Sequence, residues 1–444
     1  MLYTCRVIQQ RITLWRRPIP LSQLRRSILT LAIESSCDDT CVAILSKQKG
    51  RATIHFNEKI TSKNTGKGGI VPLEALLSHQ EHMSQLVDTS LAWLPPVELE
   101  TCSSKIMHLQ NGERKRKPDF VSVTRGPGML SNLSVGVNTA KGLATAWQVP
   151  LVGVHHMQAH MLTSRLVDAM RTDQNESTST MPEFPFLTLL VSGGHTMLVY
   201  SKGLVEHEII ATTGDIAVGD ELDKCGRLIL PKHVQDSLPD TGYAKYLSKY
   251  AFEGYNFEEW LIPKSRSDEL DMSLNQFGWK IPIPLVRTRD LAFSFAGISS
   301  SVKRILDSRS VSEEERLALA RSTIGATFDS MGSRIIMALE MLRDRQVEIS
   351  TLVVSGGVAA NDFLRFHLRR TLDVRKMGHV GLSFPPVELC TDNAAMIGWA
   401  GIEMLEAGYT SDLAFHPRRA WSMDSESEEG GILGGGGWNR AGME

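Results

Sequence analysis

The stretch Leu151–Leu166, LVGVHHMQAHMLTSRL, decides the fold prediction. Its apolar start, Leu151–Val154, predicts a buried strand, and the segment that follows favours a helix. His156 and His160 are four residues apart, so on a helix their imidazoles share one face. Imidazole is the commonest protein ligand for divalent metals, and α/β enzymes place their sites where strands pass into helices. The stretch therefore predicts a metal site at the mouth of a sheet; the alternative is two histidines that merely line a helix start.

The composition is that of a globular protein large enough for two lobes. The chain has 444 residues, of which 42% are hydrophobic and 22% charged, which are ordinary values for a folded chain. No apolar run is long enough for a transmembrane span, so no membrane association is expected. The six cysteines show no CxxC spacing, which favours free thiols in a reducing compartment.

The first 30 residues differ from the remainder because they contain six arginines and no acidic residue. An Arg-rich, acid-free, amphipathic segment is typical of a mitochondrial transit peptide; a disordered basic arm is the alternative. We expect cleavage within residues 20–32 and import into the mitochondrial matrix. Loss of the leader would change the formal net charge from −2 to −8, so a nucleic-acid partner must be held by local basic patches. Two basic runs are considered, each with a solvated face as the alternative: 114–117, and Arg365, Arg369, Arg370, Arg375 and Lys376.

After the leader, predicted strands and helices alternate along the chain. Apolar runs at 27–33 and 41–45 predict two strands joined by ESSCDDT. The carboxylates of Asp38 and Asp39 in this connection are typical of a hairpin tip that faces phosphate or metal. Residues 423–444 are Ser/Glu-rich and then Gly-rich, which predicts a disordered tail.

Two glycine turns follow apolar runs in separate halves of the chain, Ser192–Gly194 and Ser355–Gly357. Backbone N–H groups in such turns can cradle a phosphate without a lysine. The pair therefore suggests a nucleotide held between two lobes of related design. There is no Walker sequence and no GxGxxG, which excludes P-loop and Rossmann folds.

Eight motifs occur in an order that resembles one family: IESSCDDT, GGIVPLE, RGPGMLSNLSVG, HHMQAH, LLVSGGHT, GDELDK, SGGVAAN and CTDNAAMI. Between about residues 28 and 410 the chain resembles the tRNA threonylcarbamoyl transferases, once misnamed O-sialoglycoprotein endopeptidases. With its leader it resembles the mitochondrial members. The resemblance implies an α/β, actin-like fold, shared with sugar kinases and chaperone ATPases, with mixed sheets and a cleft between two lobes. The implied lobes are 31–152, completed by about 406–420, and 153–405.

The resemblance also implies roles for individual residues. The metal ligands of the family fall on His156, His160 and Asp392, a donor set suited to one iron or zinc ion per subunit with positions left open for substrate. The other implied catalytic groups are Asp38 and Asp39. The implied substrate-binding residues are Leu190, Val191, Ser192, Gly193, Gly194, Asp223, Gly242, Gly356, Gly357 and Asn361.

Within that set, Leu190–Gly194 corresponds to the adenylate-binding turn, Asp223 to a ribose contact and Asn361 to a contact on the adenine or ribose side. Two departures affect the ribose side. The family's Pro-Gly-Gly is missing, with Gly242 of LPDTGY as the nearest candidate, and its DFSFSGL is here AFSFAGI, with Ala292 and Ala296 in place of polar residues.

The implied reaction transfers the threonylcarbamoyl group from threonylcarbamoyl-AMP to the exocyclic amine of an adenosine beside the anticodon, with release of AMP. The implied partners are the tRNA anticodon loop, a separate adenylate-forming enzyme and a second copy of the chain. Three other functions are considered. A zinc peptidase needs Glu where Met157 stands, an actin-like kinase or ATPase binds Mg²⁺ through carboxylates and water, and an inactive scaffold would not need the ligand triad.

Overall fold

A computed structural model describes residues 27–63, 69–97, 102–171, 180–239 and 242–441. Most of the predicted leader, up to residue 26, lies outside the described residues. Within the described ranges, no helix has the length and apolar character needed to cross a membrane.

Two five-stranded sheets form the framework, with the orders β3-β2-β1-β6-β7 and β10-β9-β8-β11-β12. In each sheet the first three strands are antiparallel and the last two run parallel to the central strand. The same order and directions occur twice, which confirms the predicted two-lobed α/β fold with mixed sheets. The strands are β1 Ile28–Glu34, β2 Asp39–Gln48, β3 Arg51–Thr61, β4 Ile106–His108, β5 Arg114–Arg116, β6 Phe120–Gly126, β7 Leu151–His155, β8 Phe186–Val191, β9 Thr196–Ser201, β10 His207–Thr212, β11 Thr351–Ser355, β12 Gly381–Ser383, β13 Tyr409–Ser411 and β14 Trp438–Arg440.

Helices cover the sheets and fill the space between them. The helices are α1 Pro72–Leu91, α2 Leu130–Trp147, α3 His156–Ala169, α4 Val218–Ile229, α5 Lys232–Gln235, α6 Tyr243–Phe252, α7 Arg266–Leu270, α8 Ala296–Ser308, α9 Glu313–Asp344, α10 Asp362–Val374, α11 Val387–Cys390, α12 Ala394–Glu406 and α13 Gly431–Gly434. Among the described residues, short 3-10 helices occupy 103–105, 257–259 and 357–360.

The central strand β1 is buried along its whole length. Leu29, Leu31 and Ile33 pack in one apolar core with α1 and α2, whereas Ile28 and Ala32 pack in another with α12. This alternation follows from the two-residue period of a strand. The first sheet is therefore covered on both faces.

Helix α3 lies between the two sheets. It packs against α12 and also against β8 and β11 of the second sheet. Leu162 of α3 shares one buried core with Val154 of the first sheet and Val353 of the second. The predicted strand-to-helix passage therefore sits where the two lobes meet.

The structure differs from the predicted domain organisation at two places. The leader boundary at residue 30 cuts β1, whose buried strand begins at Ile28. Helix α12, predicted within the second lobe, packs on β1 and β2 of the first sheet. It is apolar on all sides, with Ile397, Trp399 and Ile402 fully buried, so its periodicity could not show which sheet it covers.

The predicted disordered tail is also wrong over residues 423–441, whereas 442–444 lie outside the described residues. Met423 and Ile432 are buried, and β14 pairs with β13 in an antiparallel ladder. A few apolar side chains anchor the segment, and the Gly/Ser/Glu bias of its composition concealed them.

Candidate metal centre and nucleotide cleft

Two helix N-termini bring the predicted metal ligands together. Strand β7 ends at His155, whose side chain caps α3 by accepting a hydrogen bond from the Gln158 N–H at 3.4 Å. Asn393 caps α12 through its side chain, which accepts from the Met396 N–H at 3.0 Å. His156 and Asp392 therefore lie beside caps that fix the local backbone.

The three side chains converge on one point. Nε2 of His160 lies 3.1 Å from Oδ1 of Asp392, and Nε2 of His156 lies 3.6 Å from the same oxygen. One ligand atom from each residue falls within a 4.8 Å cluster. Both imidazoles are buried and their rings meet edge to face with centroids 4.8 Å apart. Two imidazole nitrogens and a carboxylate oxygen at this spacing fit an iron or zinc ion with open positions.

A buried carboxylate behind His156 completes the arrangement. Oε2 of Glu34 lies 3.2 Å from Nδ1 of His156, and Oγ of Ser36 lies 3.3 Å from the same nitrogen. Glu34 also accepts hydrogen bonds from the Ser36 N–H and the Thr124 hydroxyl. A carboxylate on the far nitrogen of an imidazole fixes the ring and raises its basicity as a ligand. The sequence predictions missed Glu34, although it opens the ESSCDDT segment.

Opposite charges dominate the electrostatics of this cluster. Burial alone would raise the pKa of Asp392, but the charge of His156 and the hydrogen bond and charge of His160 outweigh it, so the pKa lies well below its usual range. Burial alone would lower the pKa of His156, but Glu34 and Asp392 raise it to about 9. In the metal-free protein, His156 is therefore protonated at neutral pH and balances the carboxylates.

The predicted acidic pair lies beside this cluster and outside the three-residue set. Oδ2 of Asp39 forms an ion pair with Nζ of Lys59 at 2.9 Å, and Lys59 also donates to Oγ1 of Thr391 at 3.3 Å. Asp38 is partly buried, and burial followed by the charge of Asp39 raises its pKa. Lys59, which the sequence predictions did not include, thus connects the first hairpin to the residue before Asp392.

The turn Ser192–Gly194 joins β8 to β9 in the second sheet. Oγ of Ser192 accepts hydrogen bonds from the N–H groups of Gly194 at 3.2 Å and His195 at 3.0 Å. A Cβ added at Gly193 or Gly194 would meet nothing within 4 Å. The preceding Leu190 and Val191 have fully buried side chains, so these two can offer a ligand only their backbone.

His195, the last residue of this SGGH segment, lies near the metal cluster. Burial and then the charges of His156 and His160 lower its pKa to about 4. Its imidazole is therefore neutral at physiological pH. The sequence predictions named the turn and not this side chain.

The second glycine turn lies next to the first, because β11 and β8 are adjacent parallel strands. Gly356 has φ +100, and a Cβ there would lie 2.4 Å from the Val191 carbonyl oxygen. Only glycine fits this crossing. Gly357 begins the 3-10 turn 357–360, so both predicted turns line one edge of the second sheet.

The predicted nucleoside contacts gather around helix α6. Oδ1 of Asp223 accepts a hydrogen bond from the Ala244 N–H at 2.5 Å, and Gly242 is the residue before α6. Asn361 caps α10 by accepting from the Leu364 N–H at 3.1 Å, and its amide donates to Ser248 of α6 at 3.0 Å. The structure thus brings Asp223, Gly242 and Asn361 to one helix, where Asp223 and Asn361 also serve as caps.

The predicted basic runs are largely engaged in contacts within the protein. Arg116 pairs with Asp119 at 2.5 Å, and Lys117 donates to the Trp147 carbonyl oxygen at 3.0 Å. In the second run, Arg375 pairs with the buried Glu269 at 2.6 Å. Ions committed in this way are poor phosphate ligands.

A groove between α4 and α8 presents cations from separate segments. It has a volume of about 330 Å³ and is lined by Lys224, Arg227, Leu228, Ser299, Ser300 and Lys303. Lys224 contacts Asp220 at 3.6 Å with both side chains about half exposed, and such exposed pairs are weak.

Taken together, the fold and site define a two-lobed α/β protein with a His–His–Asp centre beside a glycine-lined cleft.

Comparison with known proteins agrees with this definition. Residues 53–399 match the family model described as tRNA N6-adenosine threonylcarbamoyltransferase. The chain is 34% identical over 415 residues to the mitochondrial enzyme of that name from Schizosaccharomyces pombe, covering 90% of this chain and 87% of the relative. It is 33% identical over 405 residues to the enzyme from Brucella anthropi, covering 89% and 96%. The chain belongs to the tRNA N6-adenosine threonylcarbamoyltransferase family.

Solved structures similar to this chain are more distant in sequence. A ROK hexokinase from Thermus thermophilus is 11% identical with a TM-score of 0.41, covering 86% of this chain and all of that one. HypF from T. kodakarensis is 15% identical with a TM-score of 0.42, covering 85% and 47%.

Proposed function

We propose that this protein transfers the threonylcarbamoyl group of threonylcarbamoyl-AMP to the exocyclic amine of the adenosine beside the anticodon in mitochondrial tRNAs that read codons beginning with A. The observation that carries the proposal is the convergence of His156, His160 and Asp392 between the lobes of a chain from this family. A kinase or ATPase would have little use for two clustered imidazoles.

In the proposed step, the amine nitrogen attacks the carbamoyl carbon and a C–N bond forms. The C–O bond to phosphate breaks, AMP leaves with the electron pair, and the amine loses a proton. An aromatic exocyclic amine is a weak nucleophile, so positioning and charge stabilisation must supply most of the rate. A bound iron or zinc ion would supply a Lewis acid at the three ligands.

The chain's own groups have separate tasks in this proposal. In this proposal the Gly193 N–H contacts the leaving phosphate, because among the described residues it has no hydrogen-bond partner. The Ser192 and Gly194 N–H groups instead donate to the His195 carbonyl oxygen and to Ser192 Oγ and so fix the shape of the turn. His195 has a neutral imidazole, so it can accept a hydrogen bond from the attacking amine without adding positive charge to the site. In the same proposal, Asp38 and Asp39 lie near the phosphate of the substrate, and the ion pair with Lys59 fixes the position of Asp39.

We propose that the anticodon stem-loop contacts the groove of Lys224, Arg227 and Lys303. Phosphate contacts from lysine and arginine position a nucleic acid without reading its sequence. Lys303 forms no ion pair within the described part of the chain, so it has charge to offer. Helix α4 carries two of these cations and abuts the turn, since the Gly219 N–H donates to the Ser192 carbonyl oxygen at 3.2 Å. The groove therefore adjoins the cleft.

The proposed assembly is a homodimer through the outer faces of α1 and α2, which pack side by side. Leu73 and Leu77 are 63% and 51% exposed one helical turn apart, and Leu130 at the start of α2 is 46% exposed. Contiguous exposed apolar side chains mark interaction surfaces.

The proposed location is the mitochondrial matrix, which the protein reaches through its Arg-rich leader, with cleavage before Ile28. The proposed source of threonylcarbamoyl-AMP is a separate enzyme.

A reconstitution tests the proposal. The reaction contains the purified protein, an adenylate-forming partner enzyme, ATP, labelled threonine, bicarbonate and mitochondrial tRNA. It should yield labelled tRNA and AMP. When this protein is omitted, the tRNA should remain unlabelled. Consumption of ATP by this protein alone with no label on tRNA would favour the kinase or ATPase alternative.

A further inference from the structure

We infer that residues 409–441, here called the C-terminal strap, fasten the two lobes to each other and that Trp421 is a positioning residue for the metal-binding helix α3. The metal-related part of this inference rests on the proposed function. The strap leaves the first lobe, reaches the edge of the second, and returns.

The first attachment is to the first sheet. Strand β13 packs on β7, and the Gly153 N–H of β7 donates to Oγ of Ser411 at 2.8 Å. The buried Arg125 of β6 donates to the carbonyl oxygens of Gly435 at 2.8 Å and Gly436 at 2.7 Å. The backbone of the returning segment is thus held by a buried guanidinium, an arrangement with several charge-assisted hydrogen bonds.

The second attachment is to the opposite lobe. Strand β10 is the edge of the second sheet, and the strap adds to it. The His207 N–H donates to Oγ of Ser425, and the Ser425 N–H donates to the His207 carbonyl oxygen, both at 2.9 Å. Asp424 accepts from the Ile209 N–H at 3.1 Å. The strap therefore satisfies donors that an edge strand otherwise exposes.

Between these attachments the strap contacts the start of α3. The rings of Trp421 and His155 are 4.7 Å apart, and Nε2 of His155 lies 3.0 Å from the Trp421 carbonyl oxygen. Because Nδ1 of His155 caps α3, the Nε2 atom is the one assigned as donor to Trp421. His155 is thus held at both nitrogens, and the next residue along the chain is the ligand His156.

Apolar packing supports the same connection. Trp421, Met423 and Ile432 of the strap are buried in the core that holds α3 between the sheets. Loss of the Trp421 ring would leave a void against His155, and partners that orient a ligand typically affect metal affinity by about 10- to 100-fold. Trp421 therefore acts on the metal through His155 and His156.

A matched pair of substitutions separates positioning from general stability. Trp421→Ala removes the ring beside His155. Trp438→Ala removes an indole of the same strap, whose Nε1 donates to the Ile432 carbonyl oxygen at 3.0 Å and whose ring lies against Tyr409. Zinc affinity is measured by competition with a chromogenic chelator, and the melting temperature is measured with excess chelator.

We expect Trp421→Ala to weaken zinc binding about tenfold or more, Trp421→Phe to retain most of it, and Trp438→Ala to stay within about twofold of the wild type even if it melts earlier. Equal losses in the two Ala variants, unchanged affinity in Trp421→Ala, or no zinc binding by the wild type would overturn the positioning role. Failure of the wild type to modify tRNA would instead count against the proposed function, because the zinc measurement does not depend on transfer.

Hydrogen exchange tests separately whether the C-terminal strap is attached to the second lobe. The double substitution Asp424→Ala with Ser425→Ala removes the side chains that accept from the His207 and Ile209 N–H groups. Hydrogen exchange should become faster at these two amides and along the strap, while zinc affinity remains unchanged. Unaltered protection at both amides would show that the strap does not hold the second lobe.

Discussion

The two lobes contribute to the cleft in different ways. The first lobe and α3 provide buried ionised side chains, with Glu34, His156 and Asp392 compensating one another. The second lobe provides backbone turns and glycines, and its polar side chains Asp223 and Asn361 are occupied as caps. Removal of one member of a buried ionic cluster strongly destabilises it, because the remaining charges are left uncompensated. Backbone contacts are lost only when a new side chain blocks the ligand. The two sides should therefore respond to substitution very differently.

The largest effect is expected at the proposed metal ligands. His160→Ala and Asp392→Ala should each strip the metal and reduce transfer to tRNA by about a hundredfold or more, because loss of electrostatic stabilisation at a reacting centre has costs of this order. AMP should still bind, since its proposed contacts come from the other lobe. Metal analysis, calorimetry with AMP and the tRNA assay measure the three properties on one preparation. Full metal occupancy in Asp392→Ala would refute the shared site.

The next effect concerns the carboxylate behind the metal site. Because the pKa of His156 is raised to about 9, zinc binding near pH 7 must displace a proton. Calorimetry in two buffers of different ionisation enthalpy should show release of about one proton per zinc. Glu34→Gln keeps the shape and removes the charge, so it should lower the pKa of His156, reduce the proton release and weaken zinc binding about tenfold. An identical proton release in the wild type and the variant would show that Glu34 does not set this pKa.

The sign of the stability effect follows from the same pKa. A histidine whose pKa is raised on folding stabilises the metal-free protein fully below its unfolded pKa of about 6.5, and that contribution is lost as the pH rises through about 9. The melting temperature in chelator should therefore fall between these pH values, and it should fall less in Glu34→Gln. Saturating zinc should reduce the pH dependence, because the metal replaces the proton.

The glycine turns allow a smaller, more selective test of the second lobe. Gly193→Val introduces a side chain into space that is open in the protein, so folding and zinc affinity should be unchanged while AMP affinity falls several-fold. Gly356→Val is the matched contrast. Its φ of +100 and the 2.4 Å approach to the Val191 carbonyl oxygen should destabilise the fold itself. Calorimetry and thermal melting distinguish the two, and unchanged AMP affinity in Gly193→Val would remove this turn from the site.

The same contrast explains what the sequence could predict. The His156/His160 spacing and the ordered motifs led to the two-lobed fold and to three predicted ligands whose side chains the structure brings together. Glu34 escaped prediction because its partner His156 is 122 residues away, and no local pattern encodes such a contact. The side of α12 and the folding of the strap were missed for a related reason, since uniformly apolar or Gly-rich segments carry no periodicity. Arg375 of the second basic run appeared available because its ion-pair partner, Glu269, is distant in sequence.

The smallest expected effect concerns the groove between α4 and α8, and it tests whether Lys303 of this groove, instead of the sequence-predicted basic runs, contacts the tRNA backbone. Lys303→Glu should weaken tRNA binding a few-fold and reduce the slope of log affinity against log salt concentration by about one, because one phosphate contact is lost. Zinc and AMP binding should not change. The matched control is Lys376→Glu, an equal charge reversal at an exposed lysine in one of the sequence-predicted basic runs. Its slope should remain that of the wild type. If Lys376→Glu changes the salt slope and Lys303→Glu does not, the tRNA backbone contacts the α10 side of the second lobe, and the proposed contact at the groove between α4 and α8 is wrong.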